Sequence, residues 1–582
     1  MNQTGLKQSF QPTMNSKLFS QERYKESAIV TNFPQIPNTS YSLGKLETPI
    51  IFEIMPLHHE LPKFEAPEGY TIPVCVNCGA FPVNMQENDA PRWKCHVCGQ
   101  LNEKKQTHIL PSINDFDLSY SSKVKKPLFL FVIQNSAFFT NPDTLSSILA
   151  TIDEWAIQNP NINMAFFTVG TNITSFDMMK MRTHIYLPDS KLEIPIFSSE
   201  NCKLSKFIPN IREEQIIDFN DNVMKIVKKL DSNTPVVMTL FASKCDSSPA
   251  LLIEMNNRGN IAVNLYCQHN DSMYNIAKNS FKVHIFEESE GQLISPILRN
   301  WLFSDFLFHV NFRFSFQKIF ALYDMTLPNS VSGDTNYIPL IDGESGISVE
   351  LSMGGNLTRN VAFQASFVAI RKDGSSLIRV LTYNPKRVEE ITEFNGLSIG
   401  TYLARESAKL ILEDQAKSRA YGEFYEHCVQ MLSAWSQKGQ YLKSIDEIFR
   451  DSPILMWSLT HSQLYTTDDR LVMIANAVNY CSLSHLRLIR EIYPFFLLPP
   501  TVFCNRLDNK HLQNHTTAVL LKAFSGKVFG NIEALNGIDV DNLPLFIVSQ
   551  EDFQNEMIEN SEHSFDYFSE KLEVECNSRR FI

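Results

Sequence analysis

The chain has 582 residues, of which 43% are hydrophobic and 20% are charged, and its formal net charge is −12. This length exceeds what one hydrophobic core supports, so we expect several domains. The composition is typical of a folded protein, and the negative charge argues against bulk binding to nucleic acid, which needs a basic surface.

The cysteines and the apolar segments indicate a cytoplasmic protein. Of eleven cysteines, four form two C-x-x-C pairs. The others are scattered and odd in number, the pattern of reduced, mostly buried thiols. No charged segment followed by an apolar run begins the chain, so we predict no signal peptide. No stretch reaches the roughly 18 apolar residues of a membrane span, so any membrane role is expected to be peripheral.

The first predicted elements are an arm and a strand. Residues 1–40 are rich in Asn, Gln, Ser, Thr and Pro without an apolar period, which predicts a flexible N-terminal arm. The segment Pro49-Ile50-Ile51-Phe52-Glu53-Ile54 is typical of a strand. We expect this segment, within residues 41–59, to join a β domain formed later in the chain.

Two matched cysteine pairs follow in residues 60–110, at Cys75, Cys78, Cys95 and Cys98. This spacing predicts one Zn²⁺ bound by four thiolates. Gly79 and Gly99 can take the positive φ at which the chain turns back toward the sulfurs. A redox C-x-x-C needs only one pair, and four thiolates leave no open position for catalysis. We therefore predict a structural zinc and expect the nearby His96 to be solvated or hydrogen-bonded rather than a ligand.

Strands and helices alternate over residues 120–300. The run Leu128–Ile133 is continuously apolar, as in a strand buried on both faces, and Asn141-Pro142 begins a helix as N-cap and first residue. Further strands are predicted at 163–169, 236–241, 261–266 and 281–286, and helices at about 213–230, near Ala250 and after Asp271. This alternation predicts a largely parallel sheet covered on both faces.

The pattern changes twice more before the end of the chain. Residues 301–392 alternate with period two, notably at Phe363–Ala369, and a turn at Lys372–Ser375 leads into a strand at 377–382, which predicts an antiparallel β domain. Residues 393–494 carry helical periodicity that Pro494 ends. Residues 495–582 mix strands, a turn and a helix, which indicates a small α+β domain.

This order of parts resembles the inner-layer proteins of the COPII vesicle coat, and in particular the cargo-adaptor subunit family. The resemblance covers residues 45–582, and no single stretch apart from the finger is decisive. The segments that carry it are Ser42–Lys45, Pro49–Ile51, the finger with Trp93-Lys94-Cys95 and Asn102, Ala362–Ala365, Ile378–Val380, Asp469-Arg470, Ile492–Pro494 and Phe524–Val528.

The resemblance implies a multidomain fold: a zinc ribbon-type finger, a von Willebrand A-like α/β trunk, an antiparallel β-sandwich, an all-helical domain and a gelsolin-like α+β domain. It implies a non-catalytic cargo adaptor for export from the endoplasmic reticulum to the Golgi. The implied partners are the GTPase-activating coat subunit, the small coat GTPase and the cytosolic tails of cargo membrane proteins and SNAREs, with no nucleic acid. The implied location is cytoplasmic, peripheral on the endoplasmic reticulum membrane and on COPII vesicles.

The chain departs from the family at a pocket beside the finger. Many adaptors place arginines immediately before the first zinc cysteine and after the second, where they contribute to binding of acidic export signals. This chain has Val74 and Gly79 there. The resemblance therefore implies a weakened site for acidic signals, and the sequence identifies no other cargo-binding residue.

We also expect neither a trunk metal nor catalysis. A von Willebrand A domain that binds a divalent cation needs Asp-x-Ser-x-Ser after its first strand, and this chain has Gln134-Asn135-Ser136-Ala137-Phe138. A hard cation needs charged oxygen ligands. The chain also lacks a phosphate-binding loop, a dinucleotide fingerprint and a nucleophile elbow.

Two alternative functions stay open at this point. One is the GTPase-activating subunit of the same coat, which supplies an arginine to a small GTPase; Arg506, Arg579 and Arg580 match no pattern for that role. The other is a zinc-ribbon nucleic-acid-binding protein, against which the net charge of −12 argues.

Overall fold

A computed structural model describes residues 28–414, apart from short gaps, and four single helical residues beyond them. The gaps are 45–47, 59, 86–90, 121–124, 188–189, 217, 244–250, 252–253, 255–257, 269–281, 329–335, 390 and 392–393, and the single residues are His427, Met431, Leu464 and Ala475. The predicted arm before residue 28, the helix after Asp271, the gelsolin-like domain at 495–582 and most of the helical domain at 393–494 lie outside the described residues.

The described elements form a mixed α/β architecture dominated by sheets. The strands are β1 (Ile29–Thr31), β2 (Gln35–Pro37), β3 (Ile50–Ile54), β4 (Lys63–Glu65), β5 (Arg92–Lys94), β6 (Leu101–Glu103), β7 (Phe116–Tyr120), β8 (Leu128–Gln134), β9 (Asn163–Val169), β10 (Ile173–Asp177), β11 (Arg182–Tyr186), β12 (Phe197–Ser198), β13 (Val236–Ala242), β14 (Ile261–Gln268), β15 (Lys282–Phe286), β16 (Phe306–Ser315), β17 (Phe320–Thr326), β18 (Tyr337–Asp342), β19 (Ile347–Met353), β20 (Phe363–Ile370), β21 (Ser376–Tyr383) and β22 (Lys386–Val388). The α-helices are α1 (Ser40–Gly44), α2 (Ala137–Thr140), α3 (Pro142–Gln158), α4 (Phe219–Lys229), α5 (Ile294–Leu302) and α6 (Gly396–Asp414), and 3-10 helices occupy Ser199–Asn201, Leu204–Asn210 and Glu288–Leu293.

The chain divides into two compact units, with boundaries at Phe52 and Val388. In the unit that holds both ends of the described chain, Asn32 is completely buried. Its Nδ2 donates to the Pro49 carbonyl at 2.9 Å, its Oδ1 accepts from the Ile51 amide at 2.8 Å, and its carbonyl accepts from the Asn395 amide at 2.9 Å. The prediction of a flexible arm over residues 1–40 is therefore wrong for residues 28–40, where the buried apolar residues of β1 and β2 supply packing that the polar composition concealed.

The second unit, which includes Phe52–Arg387, contains an eight-stranded sheet with the order β11-β10-β9-β8-β13-β14-β15, and β12 pairs with β9. Strands β9, β8, β13, β14 and β15 are parallel. Their apolar runs are buried because α3 and the 3-10 helices cover one face and α4 covers the other. Helix α3 begins as predicted: the Asn141 side chain accepts from the amides of Asp143 and Thr144.

Two details of this sheet differ from expectation. The antiparallel strands β10 and β11 extend it at one edge, where no strand was predicted. Helix α4 begins at Phe219 rather than near Glu213, because Asp218 has left-handed backbone with φ of 51°, which an α-helix cannot continue through.

The β domain contains a six-stranded sheet with the order β18-β16-β20-β21-β7-β4, which is antiparallel except that β4 pairs with β7 in parallel. Strand β3 pairs with β19, which pairs with β17. The lead-in strand Ile50–Ile54 thus joins strands from the later β region. Strands β4 and β7 belong to the six-stranded sheet, so the cysteine pairs lie in an insertion between two sandwich strands. Phe306 of β16 packs edge-on against Phe129 of β8 with ring centroids 5.8 Å apart, and the six-stranded and eight-stranded sheets share one hydrophobic core.

Candidate metal centre

The two cysteine turns have the same backbone geometry. In each turn the glycine amide donates at 2.8 Å to the carbonyl of the first cysteine: Gly79 to Cys75, and Gly99 to Cys95. The φ angles of the two glycines are +72° and +70°, a region that residues with a side chain rarely adopt. The repeated turn brings two pairs of thiols toward each other.

The four sulfur atoms lie within 4.8 Å of one another. Sγ of Cys75 is 3.4 Å from Sγ of Cys98, and Sγ of Cys78 is 3.6 Å from Sγ of Cys95. A tetrahedral ion with metal–sulfur bonds of about 2.3 Å holds its ligands about 3.8 Å apart. The structure therefore brings together the four predicted ligands in an arrangement that can hold one metal ion.

Asn102 supports this cluster from β6. Its Nδ2 donates to Sγ of Cys75 at 3.6 Å, and its Oδ1 accepts from the Val76 amide at 3.0 Å. Asn102 is buried, as is Trp93, which lies opposite it in register on β5. A buried amide that donates to a ligating sulfur orients that sulfur and disperses its negative charge. The family resemblance included Asn102, but the sequence did not indicate that its side chain donates to a cysteine sulfur.

Two thiols on opposite turns differ in acidity. A hydrogen bond with the Cys78 thiol lowers the pKa of Cys95 to about 7, although burial opposes this change. The bond with Cys95, together with desolvation, raises the pKa of Cys78.

His96 lies inside the second turn but away from the cluster. Its Nε2 is 2.7 Å from Oδ1 of Asn384, and the contact is exposed. The imidazole therefore points toward the segment that follows β21.

Residues of β16 and of the segment before β20 hold both cysteine turns through their carbonyl groups. Arg359 donates to the Cys98 carbonyl, Nη1 of Arg313 donates to the Gly79 carbonyl at 3.3 Å, and Oγ of Ser315 donates to the Cys78 carbonyl at 3.0 Å. These three partners were not predicted. Arg313 lies between the buried Phe312 and the half-buried Phe314 on β16, which marks an outward position but does not reveal the neighbour.

Arg313 also occupies the space beside Gly79. A Cβ built on Gly79 would lie 2.0 Å from Nη1 of Arg313. The resemblance implies arginines at positions 74 and 79, and the structure supplies a guanidinium to this turn from β16 instead. The expectation of a weakened site for acidic signals at Val74 and Gly79 stays a prediction. An arginine at position 79 would have to displace Arg313 and adopt a positive φ.

A von Willebrand A domain would bind a divalent cation at the end of β8. In this chain the side chains at that place bond to and pack against other residues of the protein. Oε1 of the buried Gln134 accepts from the amide and the hydroxyl of Ser243, at 2.6 and 3.0 Å. Phe138 packs edge-on against Phe139 with ring centroids 4.8 Å apart. That this place binds no Mg²⁺ stays a prediction.

Among the described residues, no helix is both long and apolar enough to cross a membrane.

Comparison with solved structures reveals a shared fold. The crystal structure of the human COPII-coat protein Sec24c superposes with a TM-score of 0.67 at 12% sequence identity, covering 79% of this chain and 74% of that chain. A von Willebrand factor type A protein from Catenulispora acidiphila aligns with a TM-score of 0.37 at 10% identity, covering 62% of this chain and 90% of the other. No protein-family model and no curated protein sequence matches this chain. At this identity the likeness to Sec24c is one of fold, and it extends over most of both chains.

Proposed function

We propose that this protein is a non-catalytic cargo-adaptor subunit of a COPII-type vesicle coat. The observation that carries the proposal is a four-cysteine finger anchored to a β-sandwich within a fold shared with the COPII-coat protein Sec24c. Fold likeness alone does not determine function, so the anchored finger supplies the second support.

The metal in this proposal is one structural Zn²⁺. Four thiolates in a tetrahedral arrangement suit Zn²⁺, and they leave no coordination position for substrate. Cys75, Cys78, Cys95 and Cys98 would hold the ion, and Asn102 would orient the sulfur of Cys75. The ion would stabilise the turns that Arg313 and Arg359 attach to the sandwich.

The proposed partners are the GTPase-activating coat subunit, the small coat GTPase and the cytosolic tails of cargo membrane proteins and SNAREs. The proposed location is the cytoplasmic surface of the endoplasmic reticulum membrane and of the vesicles that leave it. The absence of a catalytic motif supports a binding role rather than an enzymatic one. The large β-rich scaffold suits such a role, because rigid elements present binding surfaces with little ordering cost.

The test is coat assembly on liposomes from purified parts. The protein is mixed with the GTPase-activating subunit and the GTP-loaded coat GTPase, and recruitment is measured by flotation. We expect recruitment that requires both other proteins. A protein that fails to float under any combination would contradict the proposal.

A GTP hydrolysis assay separates the adaptor from the alternative within the same coat. An adaptor leaves the rate of the coat GTPase unchanged when it is the only addition. An increased rate in the absence of the partner subunit would instead identify this chain as the GTPase activator.

A further inference from the structure

A lysine and an aspartate face each other in the interior, between β15 and the end of β18. The ammonium of Lys282 lies 2.5 Å from Oδ2 of Asp342, and the exposed fractions of the two side chains are 4% and 0%. Strand β15 is the outer strand of the eight-stranded sheet, and β18 is the outer strand of the six-stranded sheet. Two separate sheets therefore hold an amine nitrogen against a carboxyl group.

Aromatic side chains close the site to water on the side of Asp342. Trp301 and Phe306 are both buried, with ring centroids 5.2 Å apart, and Phe306 lies opposite Asp342 in the register of β16 and β18. Two buried charges carry a large desolvation cost even when they are paired. Transfer of one proton from the ammonium to the carboxylate removes both charges, so these surroundings favour an uncharged amine beside an uncharged carboxylic acid.

Hydrogen-bond donors hold both oxygens of the Asp342 carboxyl group. Oδ1 accepts from the Glu344 amide at 3.1 Å and from the Ser345 hydroxyl at 2.9 Å, and Oδ2 accepts from the Trp301 indole at 3.1 Å. Fixed donors stabilise the negative charge that develops on a carboxyl oxygen when a nucleophile attacks its carbon. Because Oδ1 has two such donors, it is the oxygen that an attack would leave in place. Oδ2, which lies beside the ammonium, is the oxygen that can depart.

Glu344 provides a second carboxylate at the same nitrogen. Its Oε2 lies 2.6 Å from the Lys282 ammonium, and its side chain is 43% exposed, in contrast to the fully buried Asp342. A carboxylate within hydrogen-bond reach of an attacking nitrogen can accept the proton that the nitrogen must lose and return it to the leaving oxygen. The closed site of Asp342 suits the loss of water, and the position of Glu344 suits the transfer of the proton.

We propose that Lys282 and Asp342 condense to an amide, which crosslinks the two sheets covalently. The ammonium first gives a proton to Oδ2, and the lone pair of Nζ then forms a bond to Cγ. The nitrogen passes a second proton to Glu344, which returns it to Oδ2 as the Cγ–Oδ2 bond breaks and water leaves. One amide and one water form, and nothing is oxidised or reduced. The fixed geometry replaces an external catalyst, and this modification does not depend on the proposed coat function.

Mass spectrometry of the full-length protein tests the proposal. Purified protein is incubated at neutral pH, and samples are denatured at intervals and weighed intact. We expect a species to accumulate that is lighter than the sequence by one water molecule. Its tryptic digest should contain a branched peptide in which Lys282 is joined to Asp342. Protein that keeps the mass of its sequence throughout, or a branch that joins Lys282 to Glu344 instead, would overturn the proposal.

Variants test the role of each group in the same time course. Lys282→Arg keeps the positive charge but cannot condense, so it should keep the mass of its sequence. Glu344→Gln removes the proton carrier and should slow the condensation by about 100- to 10,000-fold. The matched control is Glu288→Gln, an exposed residue of the 3-10 helix after β15, which should condense at the unchanged rate. Equal rates in the two glutamine variants would contradict the mechanism. Unfolding experiments on the ion pair use samples in which the mass shows no condensation.

Discussion

The ammonium of Lys282 lies 2.5 Å from Oδ2 of Asp342, and both side chains are almost completely buried. Lys282 is in β15, the last strand of the trunk sheet, and Asp342 ends β18 of the sandwich. The Trp301 indole donates to the same Asp342 oxygen at 3.1 Å, and Glu344 lies 2.6 Å from the ammonium. A buried ion pair between Lys282 and Asp342 therefore joins two sheets of one unit, with the partly exposed Glu344 beside it.

Removing one partner of this network should be costly. Asp342→Ala removes the buried carboxylate that lies 2.5 Å from the Lys282 ammonium, and we expect the free energy of unfolding to fall by about 3–5 kcal/mol. The matched control is Glu344→Gln, which removes a carboxylate that is 43% exposed and should cost only about 0–1 kcal/mol. Urea unfolding measures both. An Asp342→Ala variant that is no less stable than Glu344→Gln would show that the buried pair contributes little.

Cys95→Ser should abolish metal binding and unfold the finger. Structural zinc contributes about 10–16 kcal/mol of apparent binding free energy in small fingers, and three thiolates with a hydroxyl bind Zn²⁺ far less tightly. The control is Cys202→Ser, a buried thiol that donates to Asp153 at 3.2 Å outside the finger. Elemental analysis should find one zinc per chain in the control. A full zinc complement in Cys95→Ser would refute the ligand assignment.

Asn102→Leu should weaken metal binding without removing a ligand. The substitution deletes the donor to Sγ of Cys75 and leaves the Val76 amide without its acceptor. Loss of such a supporting contact typically costs 10–100-fold in metal affinity, so we expect a decrease of about that size. Gln100→Leu is the control, because the Gln100 side chain is exposed and bonds only the Leu101 carbonyl among the described contacts. Competition with a chromophoric chelator measures the affinities, and equal affinities in the two variants would exclude the role of Asn102.

His309 should make stability depend on pH. It lies at the register shift in β16 with a left-handed φ of 49°, and burial lowers its pKa from 6.5. The unfolded chain therefore binds the proton more tightly, so this stabilisation is complete above pH 6.5 and is lost as the pH falls below it. His309→Asn keeps a residue that tolerates left-handed backbone and removes the titration. Thermal unfolding between pH 7.5 and 5 should show a shallower loss of stability in the variant, and parallel curves would contradict the assignment.

Acidic export peptides should bind weakly at the first cysteine turn. Arg313 is exposed there and already donates to the Gly79 carbonyl, and an exposed ion contact is worth about 0–1 kcal/mol. We expect Val74→Arg to strengthen binding of a di-acidic peptide and to increase its dependence on salt. Val76→Arg is the control, because Val76 is 82% exposed in the same turn but lies inside the cysteine pair. Micromolar binding by the unchanged protein, lost on Arg313→Ala, would show that Arg313 alone forms the site.

Local patterns in the sequence predicted the central strands well. Strand β9 has the predicted limits, 163–169, and β8 extends the predicted run by only one residue. A strand that helices cover on both faces has a continuous apolar run, and such a run is easy to recognise in the sequence. The cysteine cluster was equally predictable, because its ligands come in two short turns whose spacing reflects the geometry of the metal.

Contacts between distant segments were not predictable. Arg313 and Arg359 donate to carbonyl groups of the finger that lie 234 and 261 residues away in the sequence. No local sequence pattern predicts a contact between segments so far apart. Strand β11 was missed because its exposed residues lack the alternation of buried and solvated positions on which the strand prediction depends. The strands at residues 28–37 were missed because their burial depends on neighbours rather than on their own composition.

The anchoring of the finger also has a consequence for synthesis. Gln364 on β20 bonds both the amide and the carbonyl of Phe81, and the two residues are 283 positions apart. At about 5–20 residues per second, a ribosome needs about 15–60 seconds to make the intervening chain. During that interval the cysteine turns have left the ribosome and the strand that will hold them does not yet exist. A metal ion held by the four cysteines would constrain the nascent finger during that interval. We therefore expect zinc starvation during translation to lower the yield of protein more than zinc removal from the finished fold.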